Sequence, residues 1–377
     1  MQQLVPPDVL ASADKILFIA PLAIGDFTYW QNYFVAFAKQ YPHIKIDVWV
    51  DEVRRTRCFW RWESLKNYSL YDWLESSSFI NKVYRETYSP GTCKKSLQQA
   101  QREHYPVVVS LATLRPYTYA KLARIISPAG FVAGMVTKPK FFQVRQKLAY
   151  KNLDAGLYRN GINKPATNHI TDFYAQLMEQ LFGVVVPCEK RAPFIEVPRQ
   201  WITFAKLRFL KWSIDKKHKE FGKVFFINAF AKGTKRCWPL HYLLMLMIEL
   251  KHQDQWGDVS FIVNVPPEEY HVVHNYFTQH SVNDMYLFSA QHNFFQLPAI
   301  ISICDAVISV ETSVMHLASA LKVPVVALMR TKNPEWRPWD ETRSVIVYAP
   351  NRQSWVKDIT PQQVLEGVRM LIQRHFI

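Results

Sequence analysis

The sequence lacks the features that would hold a small cross-linked or metal-bound fold together. Its 377 residues include five cysteines, an odd number without any CxxC spacing. This usage disfavours a disulfide framework or a zinc site and favours a reducing compartment. No window approaches the roughly 18–20 uninterrupted apolar residues of a membrane-spanning helix, and the first residues do not resemble a signal peptide. We therefore expect a cytoplasmic chain that is soluble or peripheral on a membrane.

Acidic residues are scarce relative to basic ones. The chain has 31 Asp and Glu against 46 Lys and Arg, a formal net charge of +15. Such an excess indicates nucleic acid, anionic lipid or a phosphorylated substrate as partner, unless it serves solubility alone. Basic and aromatic residues mix in two stretches, 54–62 and 138–151. These mixtures suit membrane headgroups or single-stranded nucleic acid. Because no nucleic-acid-binding motif accompanies them, we favour an anionic membrane surface and expect no nucleic acid.

The apolar pattern predicts an α/β protein with two domains. Hydrophobic residues make up 49% of the chain, and its length fits two domains. Strand-like apolar runs alternate with helical patterns; they lie at 15–25, 44–51, 106–112, 131–136, 223–230, 259–266, 299–310 and 323–329. This alternation predicts parallel sheets with helices packed on them. The proline-rich stretch 186–222 marks a connection, so we expect domains at 1–190 and 191–359, then a C-terminal helix at 360–377.

The first candidate site follows the first strand. Gly25 would permit a tight turn and close approach of a ligand, and Asp26 would stand at a helix start, either as a simple cap or as a functional carboxylate. No GxGxxG is present, which disfavours a standard dinucleotide site. In open parallel sheets ligands bind outside the carboxyl ends of the strands. We therefore expect the active site in a cleft between the two domains.

The second candidate site is the strand-to-helix turn VETSVMH, residues 310–316. Free N–H groups at a helix N-terminus attract anions, so a diphosphate would fit there. The residues expected to contribute to this site, with hydroxyl, carboxylate, backbone N–H or imidazole groups, are Glu311, Thr312, Ser313, Val314 and His316. Glu311 could orient sugar or ribose hydroxyls. The alternative is a capped structural helix with no ligand.

Two further loops follow strands of the second half. AKGTKRCWP, residues 231–239, sets three cations and Thr234 around a glycine, which suits a phosphate cradle, although the P-loop order is absent. A solvated basic loop is the alternative. Glu268 and Glu269 follow another strand, where a carboxylate can take a ribose hydroxyl pair or simply begin a helix.

Taken in order, three of these segments resemble glycosyltransferase family 9, the bacterial heptosyltransferases of lipopolysaccharide core assembly. The opening KILFIAPLAIGDF resembles the family's first strand and GD loop, and GTKRCWPLHY resembles its K-x-W-P segment. CDAVISVETSVMHLASALKVPVVAL resembles the signature D-T-G-x-x-H-x-A-A-A-L-x-x-P. Together these segments span residues 15 to about 330.

The resemblance implies a GT-B fold, in which two Rossmann-like domains have parallel sheets facing an interdomain cleft. It implies an N-terminal acceptor-binding domain, a C-terminal nucleotide-sugar-binding domain and a final helix that packs back on the N-terminal domain. It further implies inverting transfer without a metal or other cofactor, which agrees with the absence of a DxD triplet. The implied co-substrate is a nucleotide-diphosphate sugar, best guessed as ADP-heptose. The implied acceptor is a phosphorylated glycolipid or oligosaccharide of the lipopolysaccharide core, reached from the inner membrane.

Residue roles follow from the same resemblance. Asp26 would be the general base, and Lys235 or Arg236 with Thr234 would hold the diphosphate. Backbone N–H groups of Thr312, Ser313 and Val314 would reach the same phosphates. Glu268 would contact the ribose.

The sequence departs from the family pattern at three places. In the signature turn Glu311 replaces the aspartate and Ser313 the glycine, and the K-x-W-P segment carries one extra residue. The basic residue that often precedes the GD is replaced around Pro21 and Leu22. Glu311 and Ser313 crowd the donor pocket, so a nucleotide sugar other than ADP-heptose is an alternative donor. Three other functions also stay open. They are a catalytically silent GT-B scaffold in glycan assembly, a nucleic-acid-binding protein, and an epimerase of a free nucleotide sugar.

Overall fold

A computed structural model describes residues 3–51, 55–66, 68–138, 140–158, 169–214, 223–253 and 258–375. The chain divides into two compact units between Arg191 and Ala192, one residue from the boundary expected from the sequence. Arg54 of the first basic–aromatic stretch lies outside the described residues.

The N-terminal unit contains one six-stranded parallel sheet. Its strands are β1 (Lys15–Ala20), β2 (Lys45–Val50), β3 (Lys82–Tyr84), β4 (Val107–Ser110), β5 (Phe131–Val136) and β6 (Ala155–Tyr158). Its helices are α1 (Pro7–Ser12), α2 (Ile24–Gln40), α3 (Trp62–Lys66), α4 (Leu70–Ser76), α5 (Pro90–Gln101), α6 (Pro116–Ile126), α7 (Val144–Tyr150) and α8 (Ile170–Phe182). The strand order is β3-β2-β1-β4-β5-β6.

The C-terminal unit repeats this arrangement. Its strands are β7 (Lys223–Asn228), β8 (Val259–Asn264), β9 (Met285–Phe288), β10 (Ala306–Val310), β11 (Val325–Met329) and β12 (Ser344–Tyr348). Its helices are α9 (Arg199–Lys211), α10 (Leu240–Lys251), α11 (Tyr270–Gln279), α12 (Gln296–Ile301), α13 (Ser313–Ala320) and α14 (Pro361–His375). The order β12-β11-β10-β7-β8-β9 is the same Rossmann order as in the first unit.

Burial explains why the central strands form where the sequence predicts them. All of β10 and β11 is buried, as are five residues of β1 and five of β7. Because helices pack on both faces of such strands, their sequences are continuously apolar and do not alternate between apolar and polar residues. The predicted two-domain α/β architecture is confirmed.

Helix α14 belongs to the C-terminal unit. Its apolar residues Val364, Leu365, Val368, Leu371 and Ile372 are buried in that unit's core, and the helix packs against α10, β11 and β12. Its apolar face is therefore used within its own unit, and the expectation that the helix also packs back on the N-terminal domain stays a prediction. In the described part of the chain, no helix combines the length and apolar character needed to cross a membrane.

The strand order reverses at one point in each sheet. In the first unit this switch point lies between β1 and β4, and in the second between β7 and β10. The loops that follow such strands diverge to opposite faces and leave a crevice at the carboxyl edge. Three of the candidate loops lie there: the one with Asp26 follows β1, the basic loop follows β7, and the turn with Glu311 follows β10.

Candidate active site

Asp26 lies in the first turn of α2, three residues after the N-cap Ala23. Its Oδ2 accepts a hydrogen bond from the backbone N–H of Ala23 at 3.0 Å, so the carboxylate caps its own helix. The simple capping role is thus real, and it occupies one of the two oxygens. Gly25 lies inside the same helical turn, so the tight turn expected at this glycine is not formed.

The second oxygen of Asp26 lies next to a buried tyrosine. The Tyr174 hydroxyl of α8 lies 3.4 Å from Oδ1 and can donate to it. Tyr174 is buried and stacks on Trp30 of α2, with ring centroids 4.4 Å apart. Burial raises the pKa of Asp26, while the hydrogen bonds from Ala23 and Tyr174 oppose that rise. A carboxylate with a raised pKa is a stronger base than an exposed one, as proton abstraction requires.

A basic depression lies at the carboxyl edge of β2 and β3 in the same unit. Arg55, Arg57 and Lys94 contribute cations to its lining. Arg55 is fixed there because its guanidinium forms an ion pair with Asp51 and donates to the Thr87 carbonyl at 3.0 Å. The depression can therefore offer the positive charge of Arg57 and Lys94 to an anionic group, with Arg55 held beside Asp51.

The basic loop after β7 is built around a glycine turn. Gly233 has φ +101°, a backbone that a side chain would strain, and Thr234–Arg236 form one 3-10 turn after it. Trp238 anchors the loop, because its buried indole donates to the Ile359 carbonyl at 2.8 Å. Thr234 and Lys235 are exposed, whereas Arg236 is half-buried. The backbone that carries the predicted cations is therefore held in place at the strand's end.

A tryptophan links this loop to β11. The Lys235 ammonium lies 5.6 Å from the centre of the Trp355 ring, and the Arg330 guanidinium lies 5.0 Å from it. Both distances are within reach of a cation–π attraction. The sequence reasoning missed Arg330 and Trp355. Arg330 follows β11 directly, so its place at a strand's carboxyl end was the available signal.

Glu311 is bound by Arg330. Its Oε2 accepts from Arg330 Nε at 3.2 Å and its Oε1 from Nη2 at 3.3 Å. The side chains are only 10% and 7% exposed, respectively. A bidentate pair of this kind fixes both groups. If Glu311 orients sugar or ribose hydroxyls, as expected, it must do so while it is bound to Arg330.

Thr312 is the N-cap residue of α13, but its hydroxyl does not cap the helix. The hydroxyl instead accepts from Asn228 Nδ2 at 3.0 Å, and Asn228 Oδ1 accepts from Asn264 Nδ2 at 2.9 Å. This chain ties the ends of β7, β8 and β10 together. Because the Thr312 side chain does not cap α13, the N–H groups at residues 313–314 lie at a helix N-terminus that can bind an anion. Their contact with a phosphate stays a prediction.

The remaining predicted residues differ in exposure. Ser313 is half-buried, and Val314 in the first turn of α13 is buried. His316 is also buried, with its ring 5.8 Å from that of Trp336, and its predicted contact with the phosphate stays a prediction. Glu268 is exposed in the turn Pro267–Glu269 after β8, beside β7. Its role as a ribose contact stays a prediction.

Among the described residues no group of three or more His, Cys, Asp or Glu could hold a metal ion. The switch point of the C-terminal unit instead gathers Lys235, Arg236 and the open end of α13. Backbone N–H groups and cations at one strand edge make an anion site. The N-terminal unit places a hydrogen-bonded carboxylate at the corresponding point.

Comparisons with known proteins agree with this arrangement. Residues 127–363 match the model of glycosyltransferase family 9 (heptosyltransferase). A glycosyl transferase family 9 structure from Veillonella parvula is 16% identical, with TM-score 0.72 and 96% of this chain and 97% of that chain covered. The E. coli ADP-heptose lps heptosyltransferase II structure is 18% identical, with TM-score 0.67 and coverage of 96% and 100%.

A third structure, E. coli heptosyltransferase WaaC with ADP, is 15% identical, with TM-score 0.64 and coverage of 95% and 99%. At these identities the likeness shows the GT-B fold. No curated protein matches in a sequence search. The family model covers more than half of the chain, and this protein is a glycosyltransferase that belongs to family 9, the heptosyltransferase family.

Proposed function

We propose that the protein is an inverting, metal-independent glycosyltransferase that moves heptose from ADP-heptose onto a lipopolysaccharide core or a related surface glycan. The observation that carries this proposal is the anion site at the β7–β10 switch point, where the basic turn and the open end of α13 share one sheet edge. Nucleotide diphosphates bind at such edges of open α/β sheets.

The donor diphosphate binds this edge in the proposal. Lys235 or Arg236 with Thr234 hold its oxygens, and the N–H groups of residues 312–314 point at the same phosphates. Glu268 takes the ribose hydroxyls. When the bond between the anomeric carbon and the diphosphate oxygen breaks, negative charge grows on the leaving diphosphate. Cations and N–H dipoles that are already in position stabilise that charge without further reorganisation. In other transferases a metal ion stabilises the same charge.

Asp26 is the base in this mechanism. The acceptor hydroxyl attacks the anomeric carbon from the face opposite the diphosphate, and its proton passes to Asp26 Oδ1 as the new bond forms. Attack from that face inverts the anomeric configuration. Oδ2 stays bound to the Ala23 N–H, so the carboxylate keeps its orientation through the reaction.

The acceptor is a phosphorylated glycolipid or oligosaccharide at the anionic inner membrane in this proposal. Arg55, Arg57 and Lys94 form a basic depression in the unit that carries Asp26. Ordered cations favour a phosphate or carboxylate on the acceptor. The net charge of +15 favours the same class of partner.

Calorimetric titration with ADP, UDP, GDP and CMP tests the donor assignment. Selective ADP binding supports the proposal and leads to an assay with ADP-heptose and core glycolipid. Selective binding of another nucleotide keeps the mechanism and changes the donor. If none of the four binds, a silent scaffold is favoured, because Glu311 at the signature position is tied to Arg330.

A further inference from the structure

A second surface of the N-terminal unit is apolar and exposed. After β5 the chain projects Phe141 and Phe142, whose side chains are 85% and 62% exposed, and α7 adds the exposed Val144 and Leu148. We call these four residues the apolar tip. Leu114, also exposed, precedes α6, which packs against α7. Exposed rings and aliphatic groups in one cluster mark a surface for a partner or a membrane.

The turn that carries the apolar tip is held in a fixed shape. The Lys140 N–H donates to Gln143 Oε1 at 2.9 Å, and Lys147 Nζ donates to the Phe141 carbonyl at 3.2 Å. The Phe141 and Phe142 rings meet edge to face with centroids 5.3 Å apart. Both rings are exposed, so neither is part of the unit's core.

Charge identifies the partner's chemistry. From residue 104 to residue 153 the sequence contains eight Lys and Arg and no Asp or Glu. Four of these cations surround the apolar tip and are exposed: Lys138, Lys140, Arg145 and Lys147. Apolar rings rimmed by cations match a bilayer with anionic headgroups, in which rings enter the interface and cations meet lipid phosphates.

The apolar tip lies at the same carboxyl edge of the sheet as Asp26. The loops before α6 and before α7 follow the carboxyl ends of β4 and β5, and β4 pairs in parallel with β1. Asp26 follows the carboxyl end of β1. A membrane held at this edge would present a lipid-linked acceptor on the same side of the unit as the proposed base.

We infer that the apolar tip and its four cations dock this enzyme on an anionic bilayer. The inference deepens the proposed function, because it names the surface that brings the enzyme to a lipid-linked acceptor. The tip inserts its rings at headgroup depth, and the cations add an attraction that depends on salt.

Sedimentation with vesicles of phosphatidylglycerol and phosphatidylethanolamine tests this directly. Phe141→Ser with Phe142→Ser is expected to lower partitioning at least about tenfold through lost apolar insertion. Lys140→Glu with Arg145→Glu is expected to lower it by about tenfold or more. Vesicles of zwitterionic phosphatidylcholine, which carry no net charge, should bind the unaltered protein more weakly than anionic ones.

The matched control changes exposed leucines of α9 in the other unit, a helix that also carries cations. Leu207→Ser with Leu210→Ser should leave partitioning within about twofold. The inference is wrong if the unaltered protein does not bind anionic vesicles. It is also wrong if the phenylalanine variant binds them as well as the unaltered protein, or if only the leucine variant loses binding. A change in oligomeric state without a change in partitioning would also overturn it, in favour of a protein partner.

Nucleotide binding, measured on the same preparations, keeps the two proposals apart. The phenylalanine variant should bind ADP within about twofold of the unaltered protein, because the altered residues lie in the other unit from the donor site. Vesicle binding without nucleotide binding would refute the proposed donor and leave the docking surface standing.

Discussion

The two units share a strand order but differ in the chemistry of the loops at its switch point. The N-terminal sheet places a carboxylate after β1, and the C-terminal sheet places cations and free N–H groups after β7 and β10. The scaffold therefore fixes where a ligand binds, and a few loop residues decide which charge is met there.

The sharper contrast lies between the acids of the two switch points. Asp26 follows β1 and receives hydrogen bonds from Ala23 and Tyr174, and across the described ranges it has no ion-pair partner. Glu311 follows β10 and is held in a bidentate pair by Arg330. An acid that no cation neutralises can take up a proton, whereas one locked by a guanidinium serves as a fixed support. This difference favours Asp26 over Glu311 as the base of the proposed mechanism.

Replacing Asp26 by Asn is expected to have the largest effect. Turnover should fall about 10²- to 10⁴-fold, the usual contribution of a general base. Asn can still accept from the Ala23 N–H, so α2 stays capped and the fold is kept. Steady-state assays with thermal melting and ADP titration separate these effects. Asp26→Ala, which also removes the cap, is the comparison variant and should lower the melting temperature as well.

Both Asp26 variants should bind ADP nearly as well as the unaltered protein, because the proposed donor residues belong to the other unit. Normal turnover in Asp26→Asn would remove this residue from the mechanism. Loss of turnover together with loss of ADP binding would show instead that the substitution disturbs the structure beyond its own unit.

Replacing Arg330 by Met would leave the buried Glu311 carboxylate without its cation. Removing one partner of a buried pair costs about 3–5 kcal/mol of unfolding free energy, which urea unfolding measures. Combining it with Glu311→Gln should recover much of that loss. The control is Arg343→Met, whose partner Asp340 is more exposed, with an expected cost below about 1 kcal/mol. Equal losses in the two single variants would contradict a supporting role for Arg330.

Sequence patterns predicted the central strands and missed the edges. All four edge strands, β3, β6, β9 and β12, escaped detection, and each keeps at least two residues partly or fully exposed. An edge strand has a neighbour on one side only, so its sequence need not be a continuous apolar run. Helix α8 was also missed, and with it Tyr174.

The candidate site shows a similar limit. Asp26 and the basic and VETS loops were visible because each follows an apolar strand run directly. Tyr174 reaches Asp26 across 148 residues of sequence, and Trp355 reaches Lys235 from the segment before α14. Local spacing carries no information about such partners, since packing alone brings them together.

Lys235→Ala is expected to weaken ADP binding by about tenfold or more, the scale of one hydrogen bond between charged groups. Lys232→Ala removes the other exposed lysine of the same loop, and its affinity should stay within about twofold; a loss there with Lys235→Ala unchanged would move the role to Lys232. Calorimetry on both variants and on Arg236→Ala decides which cation holds the diphosphate. Unchanged affinity in Lys235→Ala with a loss in Arg236→Ala would move the role to the half-buried Arg236.

The smallest expected effect is a displaced pH profile in Tyr174→Phe. The Tyr174 hydroxyl stabilises the ionised form of Asp26, and burial opposes it. Removing the hydroxyl should therefore raise the pKa of Asp26 further. Because the base must be ionised to accept a proton, activity would be lost at a higher pH as the solution is acidified. The acid limb of the kcat/KM profile should move to higher pH by less than about one unit. Turnover at high pH should stay close to that of the unaltered protein. A uniform loss of activity at every pH would show instead that Tyr174 acts through packing against Trp30 alone.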